Sequence, residues 1–237
     1  MNKKRNIDKI KKLEGSPKII KNLFSKNEIE KFLNLYQELP TTVHNKKQNV
    51  VKKRWLKNYN NELESIFYDR VKNEIGEFKM DNLKDENNND ILGLFQESYN
   101  PIGLHVDAGF NLDEIIFKQT LIPLTSKGST VIFKNKFYGN STNFTIDENE
   151  LKVKDLKYGQ NFRSSEHLEM YEKKLFKKED HEKYLKHEKI ENLSGLEIDL
   201  VYERELGSML PFDRPTLHCS SSLIEGKKIG LTTFTKK

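Results

Sequence analysis

The chain has a single cysteine, Cys219, in 237 residues. No intramolecular disulfide can form, so a non-covalent core must hold the fold together, and an unpaired thiol fits a reducing compartment. Long apolar runs are absent as well, and none approaches the roughly 20 residues that a membrane-spanning helix needs. The basic opening MNKKRNIDKIKKL has no apolar stretch behind it and does not read as a secretory signal. A cytoplasmic location is expected. Hydrophobic residues make up only 35% of the chain against 32% charged, which predicts much solvated helix and loop. A basic body is missing too. Lys3, Lys4, Arg5, Lys9, Lys11 and Lys12 against Asp8 account for the whole net charge of +5 and leave the remainder formally neutral. A nucleic-acid binder normally carries its excess on a face of the folded domain. Here the excess marks residues 1–16 as a basic, frayed, solubilising tail. With no internal repeat and no low-complexity linker, residues 17–237 read as one domain.

The segments present are readable in order. KIIKNLF suggests a short strand. Ser25 with Glu28 three residues on forms a capping box, Ile29, Phe32, Leu33 and Tyr36 follow at helical spacing, and Pro40 ends the helix. NELESIFYDRVKNEIGEF is a second helix with Leu63, Ile66, Phe67, Val71 and Ile75 on one side. MDNLKDENNND is a polar linker. Beyond Asp90 the texture becomes strand-like: ILGLFQESY, LHVD, IIFKQTLIPL and STVIFKNKFY, then LEIDLVYE, GSMLPF, TLHCSSSL and KIGLTTF. Between these two groups, residues 147–193 are densely charged and read as a solvated helical insert, a candidate lid if it is not a plain surface excursion. Helices followed by many short strands predict an α+β domain with a β-sandwich or barrel core.

Within IGLHVDAGF, His105 and Asp107 stand two apart. On a strand they share a face, so an imidazole nitrogen and a carboxylate oxygen aim at one point. A third ligand must come from the remaining histidines. His167, His181 and His187 lie in the charged insert, and His44 lies in a polar loop. His218, in FDRPTLHCSSSL, is on a predicted strand, and strands remote in sequence become neighbours in a closed sheet. Two histidines and one carboxylate leave a face of an octahedral metal open, the arrangement of non-haem Fe(II) oxygenases; zinc is more often held tetrahedrally and carries no redox step.

These residues resemble the 2-oxoglutarate- and Fe(II)-dependent dioxygenases. That pattern is H-x-D, a long gap, H, and a basic residue about ten positions later, which here is Lys228. Lysine in that place is similar to the prolyl 4-hydroxylase branch. The flanks FQESYNPIGLHVD, TSKGSTVIF and GSMLPFDRPTLHCSSSLIEGKKIGLTTF resemble the family's strands. The resemblance implies a double-stranded β-helix (jelly-roll) core, with flanking N-terminal helices and the charged insert. It implies Fe(II) held by His105, Asp107 and His218, and 2-oxoglutarate with its distal carboxylate on Lys228. O₂ is the second cosubstrate, ascorbate the reductant, and succinate and CO₂ the coproducts. Tyr99 is a candidate cosubstrate contact. The family's hydroxyl two residues past the basic position is replaced by Gly230, and Thr232 is the next side chain on that face. Lys227 competes with Lys228, since adjacent strand residues face opposite ways. Related halogenases lack the carboxylate, so Asp107 implies hydroxylation or another oxygen-dependent oxidation. Cys219 and Trp55 read as core, and Arg214 as a substrate contact or a turn residue. Substrates left open are a prolyl or peptidyl group and a small metabolite. The alternatives are a non-catalytic binding module on the same scaffold and a nucleic-acid demethylase, against which the neutral body argues.

Overall fold

A computed structural model describes residues 3–45, 50–107, 114–138, 174–222 and 226–237. The described helices are α1 (Lys3–Lys12), α2 (Lys26–Glu38), α3 (Asn61–Ile75) and α4 (Lys178–Tyr184), with a short 3-10 turn at Ile190–Leu193. The described strands are β1 (Val43–Asn45), β2 (Val50–Leu56), β3 (Lys79–Met80), β4 (Ile91–Ser98) and β5 (Ile116–Pro123). They continue with β6 (Ser129–Lys136), β7 (Ile198–Glu203), β8 (Leu210–Asp213), β9 (Thr216–Ser220) and β10 (Lys228–Lys236). They form a larger antiparallel sheet in the order β1-β2-β4-β10-β5-β8, with β3 on the end of β10, and a smaller sheet β7-β6-β9. Among the described residues no helix is long and apolar enough to cross a membrane.

The larger sheet works by its period of two. Phe95, Leu231 and Ile122 lie in one register row across β4, β10 and β5 and belong to the core under the helices. The neighbouring row, Gln96 and Gly230, lines the interior. The helices form where the sequence specifies them. Ser25 Oγ accepts from the Glu28 amide at 3.2 Å while Glu28 Oε2 accepts from the Ser25 amide at 2.7 Å, closing the capping box. Asn60 caps α3 and Gly76, at φ 76°, ends it. Their apolar faces, Phe32 and Tyr36 from α2 and Leu63, Phe67 and Val71 from α3, pack with Trp55, which is fully buried against Phe32, Phe67 and Phe95.

The smaller sheet has a second core of Leu104, Val106, Val131, Phe133, Leu217 and Cys219. Two sequence expectations are corrected here. Residues 3–12 are a helix rather than a frayed tail, and Ile10 is buried in this core. The described end of the charged insert is solvated only in part: α4 has no buried residue, but Phe176, Leu185 and Leu193 are buried in the same cluster; residues 147–173, the greater part of that segment, lie outside the described residues. Ile132 and Tyr202 from the smaller sheet meet Leu210 and Phe212 from the larger one. The two sheets therefore enclose an interior, part apolar and part polar cavity. Other differences are local. KIIKNLF makes only an isolated bridge, Ile20 to Met209, and LHVD only the bridge at His105. The strands β1 and β2 were not expected, and His44 lies on β1 opposite Val51 rather than in a loop.

Candidate functional site

His218 sits in the middle of β9, paired with Ile132 of β6. His105 joins β9 through a lone antiparallel bridge: its amide donates to the His218 carbonyl at 2.9 Å, and the His218 amide returns to the His105 carbonyl at 3.0 Å. That exchange sets the imidazole centroids 4.2 Å apart. Asp107, two residues on, completes a group whose ligand atoms all lie within 4.8 Å of one another. The three side chains assigned to a metal from sequence are thus brought together.

The hydrogen bonds decide which atoms are free. His105 Nδ1 lies 2.7 Å from the Gly103 carbonyl and His218 Nδ1 lies 3.0 Å from the Thr216 carbonyl. A carbonyl only accepts, so both Nδ1 atoms carry hydrogen and donate. Each Nε2 keeps its lone pair for a metal, that of His218 facing the Gln119 amide at 3.4 Å. His218 Nε2 stands 3.3 Å from Asp107 Oδ2, and a lone pair facing a carboxylate oxygen at that distance is repulsive unless a proton or a metal cation lies between. Gln119 Nε2 donates to Asp107 Oδ2 at 2.7 Å, fixing the carboxylate, while Gln119 Oε1 has no hydrogen-bond partner among the described residues. Burial, reinforced by the neighbouring His218, pushes His105 down to about 4, so it is neutral and ready to ligate at physiological pH. Burial alone would raise the Asp107 carboxyl. Its contacts with His218 and His105 and the Gln119 amide outweigh that and hold it well below the usual carboxylate range. Two imidazole nitrogens and one carboxylate oxygen, oriented on a common point, fit a divalent first-row metal.

The same cavity, about 90 Å³, has room for several water-sized groups. It extends between the sheets to Lys228, Gly230 and Thr232 of β10 and to Thr130, Ser220 and Arg204. Lys228 is 6% exposed, and its Nζ donates to Ser220 Oγ at 2.9 Å. Burial, with the nearby Arg204 charge adding to it, drives the Lys228 ammonium well below its ordinary value. Lys227 points the other way, half exposed beside Glu97 at 3.4 Å. The strand register thereby separates the two lysines as the alternation requires.

Other expected residues fall elsewhere. Tyr99 does not line the cavity; it is 38% exposed and donates to Glu97 Oε1 at 2.7 Å. Arg214 is fully buried against Asp81 at 2.6 Å and over the Phe234 ring, so it is not a substrate contact. His181 Nε2 bonds the Glu188 carbonyl at 2.8 Å, and His187 is pushed down to about 4 by burial. Cys219 belongs to the second core, as expected. Sequence reasoning missed Gln119, Thr130, Ser220 and Arg204. Gln119 left a trace, an amide inside the apolar run IIFKQTLIPL; Arg204 left none, since nothing in VYERELG marks an inward side chain.

No protein-family model matches the sequence, and no curated protein does. Solved structures do match. One is HygX from Streptomyces hygroscopicus with nickel and 2-oxoglutarate bound, at 12% identity and TM-score 0.52 over 98% of this chain and 86% of that one. Another is an oxidoreductase of the 2OG-Fe(II) oxygenase family from Burkholderia pseudomallei, at 12% identity and TM-score 0.50 over 98% of this chain and 89% of that one. A third, a Pseudomonas putida prolyl-4-hydroxylase, aligns over the full length of both chains at 7% identity and TM-score 0.45. The fold is the jelly-roll core expected from the sequence, of the kind found in 2-oxoglutarate-dependent oxygenases.

Proposed function

We propose that the chain is an Fe(II)- and 2-oxoglutarate-dependent dioxygenase that hydroxylates a substrate C–H bond. One observation carries the reading: both imidazoles spend Nδ1 on backbone carbonyls and turn Nε2 toward a single ionised carboxylate. His105, Asp107 and His218 would hold the metal, and Lys228 would neutralise the distal carboxylate of 2-oxoglutarate, with Thr232 beside it on the same strand face. When bound, metal and cosubstrate supply an oxidation driven by O₂, with succinate and CO₂ leaving. The chain's own part is positional. Gln119 holds Asp107 in place, Lys228 orients an anion, and Phe212, Leu121 and Ile102 keep water from the apolar side of the cavity. Because Asp107 occupies the place a halide would need, hydroxylation is the outcome proposed.

The substrate is a peptidyl or free prolyl group, or a small metabolite; a fold alone does not choose between them. The neutral body outside the first twelve residues disfavours nucleic acid. The single cysteine supports a reducing, cytoplasmic setting. The test is succinate release from 2-oxoglutarate with Fe(II), ascorbate and O₂, followed by a peptide and metabolite screen for products gaining one oxygen. His218→Ala and Asp107→Ala should abolish both Fe(II) binding and turnover. Wild-type protein that neither binds Fe(II) nor releases succinate would replace this reading with that of a non-catalytic binding module.

A further inference from the structure

Arg204 follows β7 on the smaller sheet and reaches across the interior to β10. Its Nη2 donates to the Ile229 carbonyl and its Nε to the Thr125 carbonyl at 3.4 Å. Nη1 makes no hydrogen bond to a described residue, and no carboxylate among the described residues pairs with Arg204 or with Lys228. Arg204 is 5% exposed and Lys228 6%. Charging two buried basic groups in one cavity without an anion is costly. A third polar group there is also unsatisfied: Thr130, 4% exposed, lines the cavity, and its Oγ1 has no partner among the described residues. The guanidinium gets in because position 230 has no side chain. A Cβ on Gly230 would stand 2.9 Å from Arg204 Nη2 and 3.4 Å from Nη1.

We infer that Arg204 is a second arm of the anion site, gripping the distal carboxylate of 2-oxoglutarate together with Lys228, in the space that Gly230 leaves open. The inference rests on the cosubstrate reading above and goes beyond it. The expected oxygenase pattern puts a hydroxyl at position 230, and this chain instead brings in a charge from another strand. A guanidinium beside an ammonium offers a fork and a point charge to one carboxylate, which raises discrimination against 2-oxo acids that lack the distal anion. Burial holds the Arg204 guanidinium down to about 10, which still leaves it charged at neutral pH.

The experiment compares two probes on the Fe(II)-loaded protein without O₂, by calorimetry. One is 2-oxoglutarate; the other is 2-oxopentanoate, which has the same chain length and the same chelating end but no distal carboxylate. Arg204→Met should weaken 2-oxoglutarate about 10- to 100-fold, the size of a lost charge-assisted hydrogen bond, and leave 2-oxopentanoate unchanged. Arg204→Lys should recover part of the loss. Gly230→Ala provides a second variant in case Arg204→Met does not fold, since its methyl meets side-chain ends, the Arg204 guanidinium and Leu121 Cδ1 at 3.2 Å, rather than backbone. It should reproduce the selective loss by displacing the guanidinium. Equal weakening of both probes, or of neither, would make Arg204 a strut for the Ile229 and Thr125 carbonyls and overturn the inference while leaving the cosubstrate reading intact. A wild-type protein that binds Fe(II) but not 2-oxoglutarate overturns both.

Discussion

Glu188 shows how a residue outside the ligand set shapes the site. It is 2% exposed; its Oε1 accepts from the Leu104 amide at 2.7 Å, and its Oε2 accepts from Asn192 at 3.3 Å. It therefore braces the backbone just ahead of His105. Burial pushes its carboxyl up to about 7, and the two hydrogen bonds offset only part of that. A folded-state value above the ordinary one means the stability linked to the neutral acid is complete below about 4.5 and is lost as pH rises through 7, at about 1.4 kcal/mol per pH unit across that window. The buried His105 and His187, both pushed down to about 4, act in the opposite sense: their contribution is present above about 6.5 and lost as pH falls through 4. Glu188→Gln keeps an acceptor and removes only the first titration. Its melting temperature relative to wild type should therefore climb between pH 5 and pH 8, while the histidine contributions cancel in the comparison. A difference independent of pH would mean that Glu188 is ionised in the fold. At this scale the sequence was legible where spacing carried the chemistry. His105 and Asp107 shared a face by period two, and Lys228 was separated from Lys227 by the same rule. Arg204 was not legible, because its role depends on the end of one sheet meeting a glycine on the other.

At the scale of elements, local chemistry and tertiary pairing part company. The capping box of α2, the end of α2 before Pro40 and the strands β4 to β6 and β7 to β10 could be read because each carries its own signal in caps, turns or alternation. The strand β2 could not. NVVKKRWLK has little alternation, and it is held as a strand by seven register pairs to β4 rather than by its own pattern. Near α2 a second tertiary contact matters: the Phe24 amide donates to the Gly207 carbonyl at 2.9 Å, clasping the entry to α2 onto the turn between β7 and β8. Gly207 has φ 81°, and a Cβ there would sit 2.5 Å from the Phe24 carbonyl oxygen, which is backbone and cannot swing aside. Gly207→Ala should cost about 1–3 kcal/mol, read as a lowered denaturant midpoint at unchanged slope. A neutral result would show that the clasp opens without consequence.

Over the whole molecule, the decisive question is what the basic N-terminus does. Charge alone marked it as a solvated tail, and that reading failed because one apolar residue per turn is enough to dock a short helix. Ile10, 2% exposed, enters the core that also holds Leu104 and Val106 on either side of His105. Beyond α1 the chain is tied by charge: Glu14 pairs with Lys136 at 2.9 Å, and the Gly15 amide donates to Asp213 Oδ2 at 3.0 Å. Asp213 is 2% exposed and also takes Lys118 and Lys136, the latter at 2.6 Å. It lies at the end of β8, directly ahead of the turn into β9 and His218. The N-terminus is thus coupled to the strand that carries a metal ligand. Ile10→Ala should cost about 2–5 kcal/mol and weaken Fe(II) binding in step. Lys9→Gln together with Lys12→Gln removes charge from exposed positions and should stay within about 0.5 kcal/mol of wild type. Equilibrium unfolding and metal titration of the two variants side by side separate packing from charge. Should the lysine pair prove damaging and Ile10→Ala silent, the segment would be acting through its field, and an acidic partner would become the better explanation of its composition.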